Sequence, residues 1–266
     1  MNNSQTAGAL LRQWRQRRRL SQLDLACEAE ISTRHLSFVE TGRSHPSREM
    51  LLHLAEQLDI PLRERNRLLG AAGYAPLYSQ HALQDPALDA ARSAIEQLLK
   101  AHEPYPAMTI DRHWNLLAAN ASVGPFLAGL APHLLGPPLN VMRVSLHPDG
   151  LAPRIVNLAQ WRAHLLARLR NDIAISGDEQ LQALLDELLT YPAPDDAEEH
   201  DHSTVLTPLQ FRTDEGVLSL IGTITVFGTP NDVTLSELAL ETFFPADAAS
   251  ADYLRKLAVP QPASDD

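Results

Sequence analysis

Apolar side chains near the amino terminus recur at helical spacing. Leu10, Leu11 and Trp14 share one stripe, Arg15, Arg17, Arg18 and Arg19 follow, and Leu20 and Ser21 break the pattern. Ser21 stands three residues ahead of Asp24, a capping-box spacing, and opens a short helix through Leu25, Ala26 and Ala29. Ser32 repeats the device for a third helix, Thr33 to Glu40, with Leu36 and Val39 facing inward and Arg34, His35, Ser37 and Phe38 elsewhere. Gly42 reads as its stop. Pro46 and Ser47 open a fourth helix carrying Met50, Leu51, Leu54, Ala55 and Leu58, and Pro61 starts a fifth that ends near Gly70 and Gly73.

Beyond this the pattern changes. Tyr74 to Pro86 is of mixed polarity with two prolines and reads as a connection. A helix follows with Leu88, Ala91, Ile95, Leu98 and Leu99 on one face. Two short strands about a turn near Asp111 and Arg112 come next, and Asn120 leads into a helix through Val123, Phe126 and Leu127. Leu158, Trp161, Leu165 and Leu169 mark one long helix, and Leu181, Leu184, Leu185 and Leu188 another. Thr204 to Thr213 and Val217 to Gly228 read as an antiparallel pair around Asp214 to Gly216. In a last strand, Leu238, Leu240, Thr242 and Phe244 alternate with Glu237, Ala239, Glu241 and Phe243, and Ala248 to Leu257 is a closing helix. The expected architecture is α+β: an all-α five-helix domain over 1–73, a linker over 74–86, an α+β domain with an antiparallel sheet over 87–258, and a flexible tail over 259–266.

Composition agrees with a globular chain: 266 residues, 44% hydrophobic and 21% charged. Apolar runs such as Leu116 to Ala119 or Val217 to Thr225 fall short of the roughly 18 residues of a membrane span. No signal-peptide pattern opens the sequence, so a cytoplasmic protein with no membrane partner is expected. The single cysteine, Cys27, makes no internal disulfide and reads as a small residue beside a helix contact. The net charge of −11 speaks against nucleic acid until it is divided along the chain. Residues 1–78 hold 11 Arg against 8 carboxylates, a net of +3; the remainder holds 11 basic against 25 acidic side chains, a net of −14. Segregated charge points to two modules with different partners.

Two short helices joined by a tight turn make a helix-turn-helix, the first bracing on the backbone and the second entering the major groove. The segment Leu10 to about Ala72, carried by SQLDLACEAEIS and HLSFVETGRSHPS, resembles the XRE family, which includes the repressors of lambda-like phages. One residue departs from that pattern. Glu30 occupies a turn position that is often Gly because it adopts a positive φ, at a cost of about 1 kcal/mol if that conformation is kept. The resemblance implies a phosphate contact for Gln22 and a buried structural pair between Arg15 and Glu40. Thr33, Arg34, Ser37 and Phe38 would face base edges, Arg34 suited to guanine and Phe38 to a thymine methyl. Ser32, His35 and the phosphate-contact candidate Arg43 complete the DNA-binding set. Double-stranded DNA is the implied partner. A homodimer is expected, because one short recognition helix reads too few base pairs for useful specificity.

The strand-turn-strand-helix order after Pro106 resembles the opening of a PAS domain. With HEPYPAMTIDRHWNLLAAN, HPDG and FGTPNDVTLSELALETFFPAD, the chain resembles the MmyB-like regulators, which join an XRE helix-turn-helix to a PAS-like ligand domain. That resemblance implies a bacterial transcription factor whose second domain encloses an apolar molecule such as a fatty acid. Candidate pocket residues are Trp114, Phe126, Arg143, Trp161, Phe211 and Phe227; Phe244 belongs with the core aromatics. Arg112, Arg143 and Arg154 are the candidate cations for a carboxylate. The alternative is a second domain filled by its own side chains that binds a protein.

Catalytic signatures are missing: no GxGxxG after a strand, no GxxxxGK[ST], no GxSxG and no HExxH occurs. A non-enzymatic protein without a cofactor is therefore expected. His200 and His202 form an H-x-H pair that reads as acidic surface loop before it reads as a metal site, and no metal is expected. His113 and His147 read as hydrogen-bonded structural residues.

Overall fold

The structure, a computed structural model, describes residues 6–192 and 206–258. Its elements in chain order are helices α1 (Ala7–Arg17), α2 (Gln22–Glu28), α3 (Thr33–Glu40), α4 (Arg48–Gln57), α5 (Leu62–Ala71) and α6 (Asp89–Ala101), strands β1 (Ala107–Ile110) and β2 (Leu116–Ala119), and the short helices α7 (Gly124–Leu127), α8 (Pro132–Leu135) and α9 (Val141–Leu146). There follow α10 (Leu158–Ser176), α11 (Glu179–Thr190), β3 (Leu209–Thr213), β4 (Gly216–Val226), the helical turn α12 (Val233–Ser236), β5 (Ala239–Pro245) and α13 (Ala248–Ala258). The chain divides into two compact units: residues 1–82 with 229–236, and residues 83–228 with 237–266.

In the first unit the starts of α2, α3 and α4 are set by side-chain caps. Ser21 and Asp24 form a reciprocal capping box, Ser32 accepts from the His35 N–H, and Ser47 accepts from the Met50 N–H. The core gathers Leu11, Leu25, Leu36, Leu51 and Leu54, all fully buried. Between α2 and α3 the chain turns with Glu30 at φ +51°, so the left-handed conformation is retained without glycine. Gly8 has a different reason to be glycine. A Cβ there would lie 2.2 Å from the Val39 carbonyl oxygen and 2.9 Å from that of Glu40, so α1 crosses the end of α3 backbone to backbone.

The stretch read as a connection begins inside this unit, and the units divide at Ala82 and Leu83. Tyr74 Oη donates to the Pro46 carbonyl, and Asn66 accepts from the Leu77 and Tyr78 N–H groups while donating to the Tyr78 carbonyl. Residues 229–236 come from far along the chain. Val233 is fully buried and donates its N–H to the Ser79 carbonyl, and Asp232 Oδ2 lies 2.7 Å from His81 Nδ1. Burial pushes the Asp232 carboxyl up, but His81 and the N–H groups of Leu235, His81 and Thr234 outweigh it and hold the group below the usual aspartate range.

The second unit is α+β. Its sheet has the order β2-β1-β5-β4-β3 with antiparallel neighbours. Leu165 and Leu169 of α10 and Leu184 and Leu188 of α11 share a core with Trp114, Phe211, Leu218 and Phe243. Asn120, expected to lead a helix, makes no capping hydrogen bond to it. Its buried amide instead accepts from the Ala107 N–H and donates to the Leu99 and Tyr105 carbonyls, tying the end of α6 to β1.

Other expectations shift. β3 begins at Leu209 rather than Thr204, with Leu206 exposed and residues 204 and 205 outside the described residues. Leu98 of α6 is half exposed, while Leu88, Ile95 and Leu99 are buried. In β5 the inward aromatic is Phe243, whereas Phe244 is 43% exposed and packs edge-on against His102. The expected tail over 259–266 lies outside the described residues, as do His200 and His202.

Candidate nucleic-acid interface and ligand cavity

Recognition helices must be held rigidly from behind, and α3 is anchored by charge as well as by Leu36 and Val39. Arg15 grips Glu40 with two parallel bonds, Nε to Oε1 at 2.6 Å and Nη2 to Oε2 at 2.9 Å, while Nη1 donates to the Leu20 carbonyl. Gln22 Nε2 adds a bond to Glu40 Oε2 at 2.8 Å. The side chains are 9% and 1% exposed, so the pair is a buried one. Burial alone would push the Glu40 carboxyl up, but Arg15 and Gln22 overcome it and hold the group below its usual range; the Glu40 bond in turn raises Arg15.

On the outer side of α3, Arg34 is exposed, and Thr33, His35, Ser37 and Phe38 are half-buried. Arg34 and exposed Arg43 bracket the Phe38 ring, their guanidinium carbons 5.3 and 6.0 Å from its centroid. Cation–π contact of this kind orients a guanidinium without neutralising it. Among the described residues no carboxylate pairs with either arginine. Ser32 Oγ is occupied as the cap, and Gln22, expected at a phosphate, is tied by its amide to Glu40. A pre-positioned arginine beside an aromatic suits recognition of a guanine edge and a neighbouring methyl.

The second unit contains a cavity of about 90 Å³, roofed by α7, α9 and α10 and floored by the sheet. Trp114, Phe126, Trp161 and Phe211 line it together with Met108, Leu116, Val141, Leu165, Leu220 and Phe243. Phe227 and Arg143 are not in the wall. Arg143 is drawn to the surface by a two-bond ion pair with Glu187 at 2.8 and 2.7 Å, which raises the arginine and lowers the carboxyl. Phe227 follows the end of β4, past the strand residues that face the core. Arg112 is 3.2 Å from Asp178, and neither it nor Arg154 lines the cavity.

Sequence reasoning passed over Glu241, the carboxylate in the wall. Arg168 Nη1 lies 2.6 Å from its Oε1, and the Arg168 guanidinium stacks 4.1 Å from the Trp114 ring centroid. Trp114 Nε1 donates to Asp172 Oδ2 at 3.2 Å. Burial raises both Asp172 and Glu241, with Arg168 only partly opposing it. Trp114 itself sits at φ +66°, an uncommon conformation for a bulky side chain and one found where a site over-determines the backbone. The hydrogen bonds of Asp111 to the His113 and Asn115 N–H groups shape that turn.

His113 Nε2 pairs with Asp178 Oδ2 at 2.9 Å, and His147 Nδ1 accepts the Asp149 N–H at 3.0 Å. His133, His147 and Asp149 bring one ligand atom each within 4.8 Å of one another, but His133 and Asp149 are exposed. No helix among the described residues is long and apolar enough to cross a membrane.

A capped helix-turn-helix and a separate unit built around a cavity define a class, the transcription regulator with a ligand-binding domain. Residues 6–68 match a helix-turn-helix domain family, and residues 91–257 match the family described as the MmyB-like transcription regulator ligand binding domain. The second match spans more than half of the chain, and the chain belongs to the MmyB-like transcription regulators. No curated protein matches it.

Proposed function

We propose that the chain is a sequence-specific DNA-binding regulator that works as a homodimer, and that a small apolar ligand in the second unit modulates its DNA affinity. One observation carries the DNA reading. The outer side of α3 offers Arg34 and Arg43 around Phe38, unneutralised among the described residues, while Glu40 at the other side of the helix is locked to Arg15. In this reading Arg34 grips a guanine, Phe38 meets a thymine methyl, Thr33, His35 and Ser37 border the base edges, and Arg43 holds a phosphate, with Ser32 and Gln22 fixing the helices. Dimerisation supplies the second half-site.

Arg34→Ala is expected to lower the ratio of specific to nonspecific binding by about 1–3 kcal/mol. Arg43→Ala should weaken all sequences alike and reduce the salt slope by about 1. Fluorescence anisotropy on a site and a scrambled duplex over a salt series measures both, and identical behaviour of the two variants would sink the role assignment.

The ligand reading is supported by the apolar wall, which favours a guest over a domain filled by its own side chains. The cavity is smaller than the roughly 150 Å³ of an engineered apolar cavity that admits benzene. A long acyl chain is therefore not wholly enclosed by the cavity as it stands. Of the fatty-acid-like ligand implied by resemblance, this reading keeps the apolar part.

A further inference from the structure

Helix α8 and the end of α9 bring together three side chains that neither DNA recognition nor the cavity employs. His133 of α8, His147 at the close of α9 and Asp149 just beyond it each place a ligand atom within 4.8 Å of the other two. The His133 and His147 ring centroids are 5.2 Å apart at 72°, and His147 Nδ1 stands 3.9 Å from Asp149 Oδ2. Two neutral imidazoles and one carboxylate are donors suited to a borderline divalent cation.

The loop holds its middle ligand in place. The Arg143 carbonyl accepts the His147 N–H at 2.9 Å, the His147 carbonyl accepts the Gly150 N–H at 2.9 Å, and the Val144 carbonyl accepts the Leu151 N–H at 2.8 Å. Only glycine fits at 150, because a Cβ there would lie 2.3 Å from the Val144 carbonyl oxygen and 3.2 Å from that of His147. The Ala131 N–H reaches the Asp149 carbonyl at 3.4 Å and ties the start of α8 to the same loop. Tyr191 packs edge-on against the His147 ring at 4.9 Å between centroids, its hydroxyl fixed on Glu187. His147, its side chain 21% exposed, is the anchored member of the three.

Its proton is also on the right nitrogen. Nδ1 accepts the Asp149 N–H at 3.0 Å, so the neutral ring carries its proton on Nε2 and keeps a lone pair on the side of Asp149. A cation that takes this lone pair displaces an N–H at an exposed residue, where water replaces the lost bond. Metal bonds of about 2.0–2.2 Å require the three atoms to draw in by at most about 1.5 Å. His133 and Asp149 are exposed, and among the described residues neither side chain makes a hydrogen bond that this closure would break. Rotation of two surface side chains therefore completes the site.

We propose that His133, His147 and Asp149 bind a divalent transition-metal cation of the zinc class, with water filling the rest of its shell. Mg²⁺ is refused, because it demands oxygen ligands and gives up its own water reluctantly. Helix α9 supplies Val141, Met142, Val144 and Ser145 to the cavity wall, so an ion here joins α8 to a helix of that wall.

Isothermal titration of the full chain with Zn²⁺ should show one saturable site per chain, and Mg²⁺ should show none. His133→Ala and Asp149→Asn change exposed positions and should leave the fold intact. Each should weaken Zn²⁺ binding at least about tenfold, since losing even the outer partner of a metal ligand costs about 10–100-fold. Co²⁺, a coloured stand-in for Zn²⁺, should give a visible absorption band that both variants lose. A chain carrying His200→Ala and His202→Ala together removes the other histidine pair and should keep its full affinity. Absence of Zn²⁺ binding, affinity unmoved by His133→Ala and Asp149→Asn, loss of the site in the control variant, or Mg²⁺ binding as tightly as Zn²⁺ would each overturn the proposal.

Discussion

Glu40→Ala is expected to destabilise the helix-turn-helix unit by about 3–5 kcal/mol, the cost of removing one partner from a buried ion pair. The loss is large because Arg15 would be left 8% exposed with its Nε and Nη2 unpaired, and Gln22 Nε2 would lose its acceptor. Against the roughly 5–15 kcal/mol that a domain holds in total, that is at least about a fifth of the unit's stability. Thermal unfolding of the full chain by circular dichroism should show the helical transition of this unit lowered by more than about 10 °C. Acid titration gives an independent reading. The folded Glu40 carboxyl titrates below its ordinary 4.5, so its contribution is complete above that pH and is lost as pH falls through the depressed value. That acid-sensitive component should be missing from the variant, and an unchanged melting and acid profile would show that the pair holds nothing together.

Gly8→Ala should also be damaging, although it adds one methyl group. The new Cβ would stand 2.2 Å from the Val39 carbonyl oxygen, a backbone atom that cannot rotate away, so α1 and α3 must separate. Overpacking of this kind costs about 1–3 kcal/mol, and here it also tilts the helix that carries Arg34. Gly70→Ala is the control, because Gly70 lies in α5 with nothing within 4 Å of the added Cβ. It should leave stability unchanged or raise it by about 0.5–1 kcal/mol. Equal melting temperatures for the two alanine variants would mean that α1 and α3 do not touch as described.

Local signals account for what could be read in advance. The caps at Ser21, Ser32 and Ser47 each act within three residues of their own helix, and apolar spacing gave α2 to α5 their inward faces. Features that depend on distant partners were hidden. Gly8 shows its meaning only once Val39 lies across it, and Val233 only once Ser79 and His81 receive its neighbourhood. Asp232 did carry a local clue, a helix-start pattern in which its Oδ1 accepts from Thr234 and Leu235. In β5, Leu240, Glu241, Thr242 and Phe243 are buried in succession, so alternation could not choose between Phe243 and Phe244. Glu241 escaped notice because a carboxylate in a strand reads as solvent-facing, and Arg168 and Trp114, which change that reading, sit on a helix and a turn far away in the chain. Four of the candidate pocket aromatics line the cavity, Phe126, Trp161 and Phe211 from the inward faces of predicted elements and Trp114 from a turn; Phe227, just past the end of β4, does not.

Selection of bound sequences from random duplex DNA by the full chain, with Arg34→Ala in parallel, puts the whole reading to one test. A sequence-reading α3 in a homodimer predicts an enriched motif of two related half-sites, with centres one helical turn or a multiple of it apart. Arg34→Ala should lose the preference at one position in each half while keeping the spacing. Recovery of no motif above the starting pool, or of the same motif with and without Arg34, would contradict it.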